Sequence, residues 1–210
     1  MNNQPSTTDR LSIRSNPRSK FGARSVIVRW SIYGITMALF SYFVFPLVPL
    51  PKTLRNFAAQ TPHVISFFHM TSVIISLFTP LVSILLLSSL IKLSLTLLPK
   101  ILNEPLSLQD VITAITLAYV VPMIAYIVRF TLSLVKNHYY IYSITSVGFY
   151  VGQLRRFPMS ILSNVDIMDI AFWLLVTAFL SLFSNSRFRR VGILTGSLYV
   201  IQILIISYLS

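Results

Sequence analysis

From Trp30 to Pro51 the chain carries no charged side chain, and this apolar stretch stands directly behind an arginine-rich segment. About 20 apolar residues at roughly 1.5 Å rise each cross a hydrocarbon core of roughly 30 Å. The pattern predicts a membrane-spanning helix. Further apolar stretches follow at Ser72 to Leu98, Val111 to Val128, Ile170 to Phe183 and Val191 to Leu209. The expectation is an all-α integral membrane bundle of five transmembrane helices, near residues 28–50, 71–98, 110–135, 167–184 and 191–209. Residues 1–27 are expected to form a basic, disordered N-terminal tail and residues 28–210 the membrane domain.

Punctuation residues refine this frame. Pro46, Pro49 and Pro51 close the first span, and Lys52 and Arg55 mark the opposite interface. Between Asn56 and Met70, Phe57, Val64, Ile65, Phe67 and Phe68 alternate with Gln60, His63 and His69, which predicts an interfacial helix before the second span. That span runs through Pro80 to Lys92, whose stem reaches toward the headgroups beyond Pro99 and Lys100. Ser107, followed three residues later by Asp110, has the form of an N-cap for the third span, which contains Pro122 and runs toward Arg129 and Lys136. Pro80, and Pro122 with Tyr119, are the expected kinks. Within 137–167, His138, Tyr139, Tyr140, Tyr142, Phe149 and Tyr150 predict an aromatic belt or a partly buried loop.

Composition narrows the class. Hydrophobic residues make up 55% of the chain and charged residues 10%, too few charges for a water-exposed surface. The net charge of +12 would suggest nucleic acid in a soluble protein, but here the charges flank apolar spans, so the expected partner is the bilayer with its anionic headgroups. Arg10, Arg14, Arg18, Lys20, Arg24 and Arg29 in the tail, and Arg187, Arg189 and Arg190 in the last hairpin, are the candidate headgroup contacts. With the N-terminus inside, the inner face collects eleven Lys and Arg and the outer face six, which favours a cytosolic N-terminus in a bacterial or archaeal cell membrane. The tail is also Arg-rich, Ser-rich and acid-poor like an organellar transit peptide, so an organelle membrane is the alternative.

No catalytic or metal constellation emerges. Cysteine is absent, and His63, His69 and His138 lack the spacing and the acidic neighbours of a metal site. Glu104, Asp110, Asp166 and Asp169 fall at helix starts or loops, where the helix dipole accounts for them, and none is expected in mid-span. The sequence therefore predicts neither an enzyme nor a cofactor. Gly192 and Gly196 have the Gly-x-x-x-Gly spacing of close helix contact.

Residues 79–209 resemble the membrane domain of the Yip family, the Ypt-interacting proteins, in its prokaryotic form. The resemblance rests on Thr79-Pro80-Leu81 leading to Leu97-Leu98, then Leu106-Ser107-Leu108-Gln109-Asp110, then Ala118-Tyr119-Val120-Val121-Pro122, and finally Asn164-Val165-Asp166-Ile167 ahead of Trp173 and a basic hairpin. It implies five spans with a cytosolic N-terminus. The Asp-Leu-Tyr-Gly-Pro signature of the eukaryotic members is absent, so their GTPase partnership is not carried over. The expected role is a scaffold, assembly or trafficking-type factor that acts through helix packing and a membrane-protein or lipid partner. A small permease, with a polar cavity lined by Ser, Thr and Tyr of the second and third spans, or an accessory subunit of a larger membrane complex, is the alternative.

Overall fold

Proline, which has no N–H to give, decides where the first two helices stop and start. Helix α1 (Ala23–Val44) gives way to a 3-10 turn at Phe45–Leu47 around Pro46, and α2 (Pro62–Leu97) begins on Pro62, where a donor would have been unpaired in any case. The order continues with α3 (Leu108–Ala118), α4 (Val120–Val135), a short turn of helix α5 (Ser160–Ser163), α6 (Ile167–Phe183) and α7 (Phe188–Leu209). This computed structural model describes residues 23–47, 62–136, 145–147, 150 and 160–209. Among them the chain is helical apart from its connections and one isolated bridge between Ser146 and Asp166.

Two expected boundaries move. The first helix starts within the segment assigned to the tail, so Arg24 and Arg29 lie on α1, and it ends at Val44 because of Pro46. The interfacial helix expected over 56–70 is, from Pro62 onward, continuous with the helix of the second span, which starts nine residues before residue 71. One of its polar positions meets α1: His69 Nε2 donates to the Tyr42 carbonyl at 3.0 Å and its ring stacks on Tyr42 at 5.2 Å. The expectations for Arg10, Arg14, Arg18 and Lys20, and for the aromatic cluster other than Tyr150, lie outside the described residues.

The expected cap of the third span is present in full. Ser107 Oγ accepts from Asp110 N at 3.1 Å while Asp110 Oδ2 accepts from Ser107 N at 2.9 Å, a reciprocal capping box that starts α3. The helix is interrupted at Tyr119, which separates α3 from α4 three residues before Pro122. Pro122 thus stands in the first turn of α4, where its missing N–H is tolerated. Beside the interruption, the Thr116 carbonyl accepts from the Tyr33 hydroxyl at 3.1 Å. Helix α2 passes through the fully buried Pro80 without a break, and Thr79 Oγ1 donates to the Ile75 carbonyl at 2.7 Å.

Helices α1, α2 and α7, and α3 continued by α4, are long and apolar enough to cross a membrane. Helix α6 has 17 residues and falls just under that length. Their outer surface is apolar: Phe67, Leu86 and Ile193 are each more than three-fifths exposed. A membrane provides the solvent for such a surface; water does not.

Pairwise contacts fix directions. Trp30 donates to Thr116 Oγ1 at 2.8 Å, Tyr33 meets Tyr119, Phe40 meets Tyr126, and Val44 packs with Phe130, always at an offset of 86 residues. A constant offset means that α1 runs parallel to α3 and α4. Helix α2 runs antiparallel to α1, joined by Ser41 and Ser72 at 2.9 Å and by Gly34, where an added Cβ would come within 2.6 Å of the Leu77 carbonyl oxygen. Helix α6 packs on α3 and α4, and α7 packs on α6 through the buried Thr177 and Thr195 hydroxyls.

At one end of the bundle the connection after α2 meets the turn between α6 and α7. Glu104 N donates to the Ser184 carbonyl at 3.2 Å, and Asn103 Nδ2 donates to the carbonyl of Asn185 at 2.7 Å. Asn185 itself has a φ of 49°, a left-handed conformation that asparagine tolerates better than most residues. Lys92 Nζ bends to this end and donates to the Leu106 carbonyl at 2.6 Å. Arg24, Lys100, Arg187, Arg189 and Arg190 stand at the same end, so most of the described cations are gathered there. Arg129, beside the Phe130 ring at 5.2 Å, and Lys136 belong to the opposite end.

Candidate functional site

Helix α2 packs on α1 and α3, and α7 on α6, but α2 and α7 do not form a packed pair. The space between them is a lateral groove of about 480 Å³. Leu86 and Leu90 of α2 form one wall, and Leu198, Ile201 and Ile205 of α7 the other. Its floor is the Tyr119–Pro122 interruption together with Phe172 and Trp173 of α6. The floor residues Tyr119, Phe172 and Trp173 are each 5% exposed, whereas Leu86 and Ile205 stand 66% and 55% exposed at the rim. The groove therefore has a fixed base and opens sideways, toward the apolar surroundings of the helices.

Four polar side chains interrupt the apolar lining: Ser83, Tyr119, Asp169 and Gln202. Ser83 and Tyr119 lie on the same lining, one on α2 and the other at the break between α3 and α4. Trp173 Nε1 donates to Gln202 Oε1 at 3.2 Å. Because an indole N–H only donates, the amide must turn its oxygen to the tryptophan, which leaves its NH₂ for another acceptor.

Asp169 is different. It occupies the third position of α6 after the N-cap Asp166, the same position that Asp110 holds in α3. Asp110 returns to its N-cap and closes the box, whereas Asp166 caps α6 alone, accepting from Met168 N at 2.8 Å, and the Asp169 carboxylate has no hydrogen-bond or ion-pair partner among the described residues. Depth adds to the contrast. Counted along the helices from the basic end, Asp169 and Gln202 each lie 14 residues in, at about 21 Å, while α7 continues to Leu209 at about 31 Å. The carboxylate is thus carried below the level of the far ends of α2 and α7. The shortness of α6 produces this: its N-terminus is met by the Ser160–Ser163 turn and by Asn164, which donates to Ser207 Oγ at 3.0 Å.

Of the residues marked by the sequence, Tyr119 and Pro122 are brought into the groove floor. Pro80 is buried elsewhere in α2, and Arg187, Arg189 and Arg190 are exposed at the basic end. An added Cβ at Gly192 would lie 3.6 Å from Thr177 Cγ2, an ordinary contact, and one at Gly196 would meet nothing within 4 Å. The closest backbone approach among the described glycines is at Gly34, which the sequence pattern did not single out. Asp169 stands at a helix start, as its position in the sequence predicts, but nothing in the sequence marks its place in a groove, nor that of Gln202. The available signal was the Asp166–Asp169 spacing combined with an unusually short apolar run behind it.

No protein-family profile, no curated protein and no solved structure matches this chain.

Proposed function

We propose that this protein is a five-span membrane protein that acts by binding: a scaffold, assembly or trafficking-type factor whose occupant enters the lateral groove from the plane of the bilayer. The Yip-like motifs belong to the same proposal, because Ala118-Tyr119-Val120-Val121-Pro122 supplies the interruption that floors the groove. The observation that carries it is the apolar wall of α2 and α7, open to the side above a buried floor. Lateral clefts between helices are where bundles bind apolar ligands. The lining also weighs against the permease alternative, whose water-soluble substrate calls for a predominantly polar cavity. Ser41, Ser72, Ser76, Thr116, Thr177 and Thr195 are engaged in helix-to-helix hydrogen bonds.

In this proposal α6 is the fifth span. At 17 residues it reaches about 26 Å, within the lower range of spanning helices. The cation-rich end faces the cytosol, as positive-inside ordering requires, with the exposed arginines against anionic headgroups. Purification in mild detergent followed by mass spectrometry of the whole complex tests the function. Tightly held lipid or a stoichiometric membrane-protein partner is expected; a bare chain that exchanges a small polar solute across vesicles would overturn it.

A further inference from the structure

We infer that the groove takes a membrane lipid with a protonated amine in its headgroup, the ammonium meeting Asp169 and the hydrocarbon chain lying along α2 and α7. The inference rests on the proposed groove function and gives its occupant. Three independent observations converge on this chemistry.

The first is charge. The chain has a net charge of +12, and most of its described cations are gathered at the basic end, yet the one carboxylate in the groove has no cation beside it among the described residues. A carboxylate at membrane depth is costly without a partner, and such groups typically face a partner or a pathway. An ammonium delivered by a lipid supplies a partner that none of the described residues offers, through a charge-assisted hydrogen bond. An anionic lipid would instead set like charge against Asp169.

The second is the donor beside it. Gln202 lies at the same depth as Asp169, and with its oxygen held by Trp173 its amide NH₂ faces the remaining need of an amine-headed lipid, a phosphate or ester oxygen close to the ammonium. The acceptor and donor are thus separate side chains, held on α6 and α7, which the Trp173–Gln202 hydrogen bond ties together.

The third is direction. From Asp169 the groove continues toward the basic end along Leu86, Leu90 and Leu198, with no further charged side chain in its lining. A headgroup at Asp169 therefore has an aliphatic channel behind it. Its volume of about 480 Å³ falls in the range of ordinary ligand sites, roughly 300–1,000 Å³.

The experiment uses the full chain in vesicles of equimolar phosphatidylethanolamine and phosphatidylglycerol with identical acyl chains, followed by native mass spectrometry of the released complexes. Ile205→Trp fills the groove from its exposed rim and defines which bound lipid is groove-bound, separating it from lipid at the arginine-rich end. The wild-type chain is expected to hold the ethanolamine lipid in the groove with about tenfold preference, the scale of one charge-assisted hydrogen bond. Asp169→Asn should abolish the preference and Asp169→Glu retain it. If Ile205→Trp leaves all bound lipid unchanged, the groove function itself fails. If it removes lipid but the wild-type chain shows no preference, or Asp169→Asn keeps it, the amine inference fails while the groove survives. The wild-type comparison decides the matter even if an Asp169 variant does not fold.

Discussion

Among the described glycines, Gly34 has the least room. A Cβ there would stand 2.6 Å from a backbone oxygen of α2, which cannot rotate away as a side-chain tip could. Gly34→Ala should therefore cost about 1–3 kcal/mol through overpacking between α1 and α2, read as a lowered thermal midpoint in detergent. Gly196→Ala, by contrast, should not lower the midpoint, because nothing lies within 4 Å of the new methyl and alanine favours the helix. The contrast was not legible in the sequence. A Gly-x-x-x-Gly spacing marks two small residues on one helix face, but whether another backbone is laid against that face depends on which helix comes next to it. Lys92 gives a second case at this scale. Its expected reach toward an interface is realised as a bond to the Leu106 carbonyl, so Lys92→Met should speed hydrogen exchange in the 98–107 connection.

Among the elements, α3 and α6 show how the same three-residue spacing leads to different outcomes. Ser107 and Asp110 close a reciprocal box that was readable from the residues alone, since every atom in it is local. Ser107→Ala should cost about 1 kcal/mol and loosen the first turn of α3, visible as faster amide exchange at Val111. At α6 the N-cap Asp166 is also engaged by the Thr145 hydroxyl and faces the bridge to Ser146, and Asp169 is left to the groove. No local rule separates these two cases. The difference comes from a strand-like contact between residues some 20 positions apart, which fixes how the chain enters α6.

Across the whole molecule, the parallel register of α1 with α3 and α4 and the meeting of the two connections gather positive charge at one end. Because the chain has no cysteine, single introduced cysteines can report sidedness without interference. Arg189→Cys should react only with cytosolic reagent and Lys136→Cys only with external reagent in oriented membranes. Reversal of both, with α6 still spanning, would invert the proposed orientation. The same architecture leaves α2 and α7 apart and so makes the groove.

The sequence by itself determined that this is an α-helical membrane protein, roughly where most of its helices run, and where caps and prolines begin or interrupt them. Those properties follow from local runs of apolar residues and from backbone donors that are present or missing. Tertiary structure alone decided that α2 continues from Pro62, that Gly34 rather than Gly196 meets a neighbouring backbone, and that Asp169, Gln202 and Tyr119 line one groove. Their separations of 33 and 50 residues carry no local signal. Which apolar faces meet is settled by packing between helices whose sequences look alike to the bilayer.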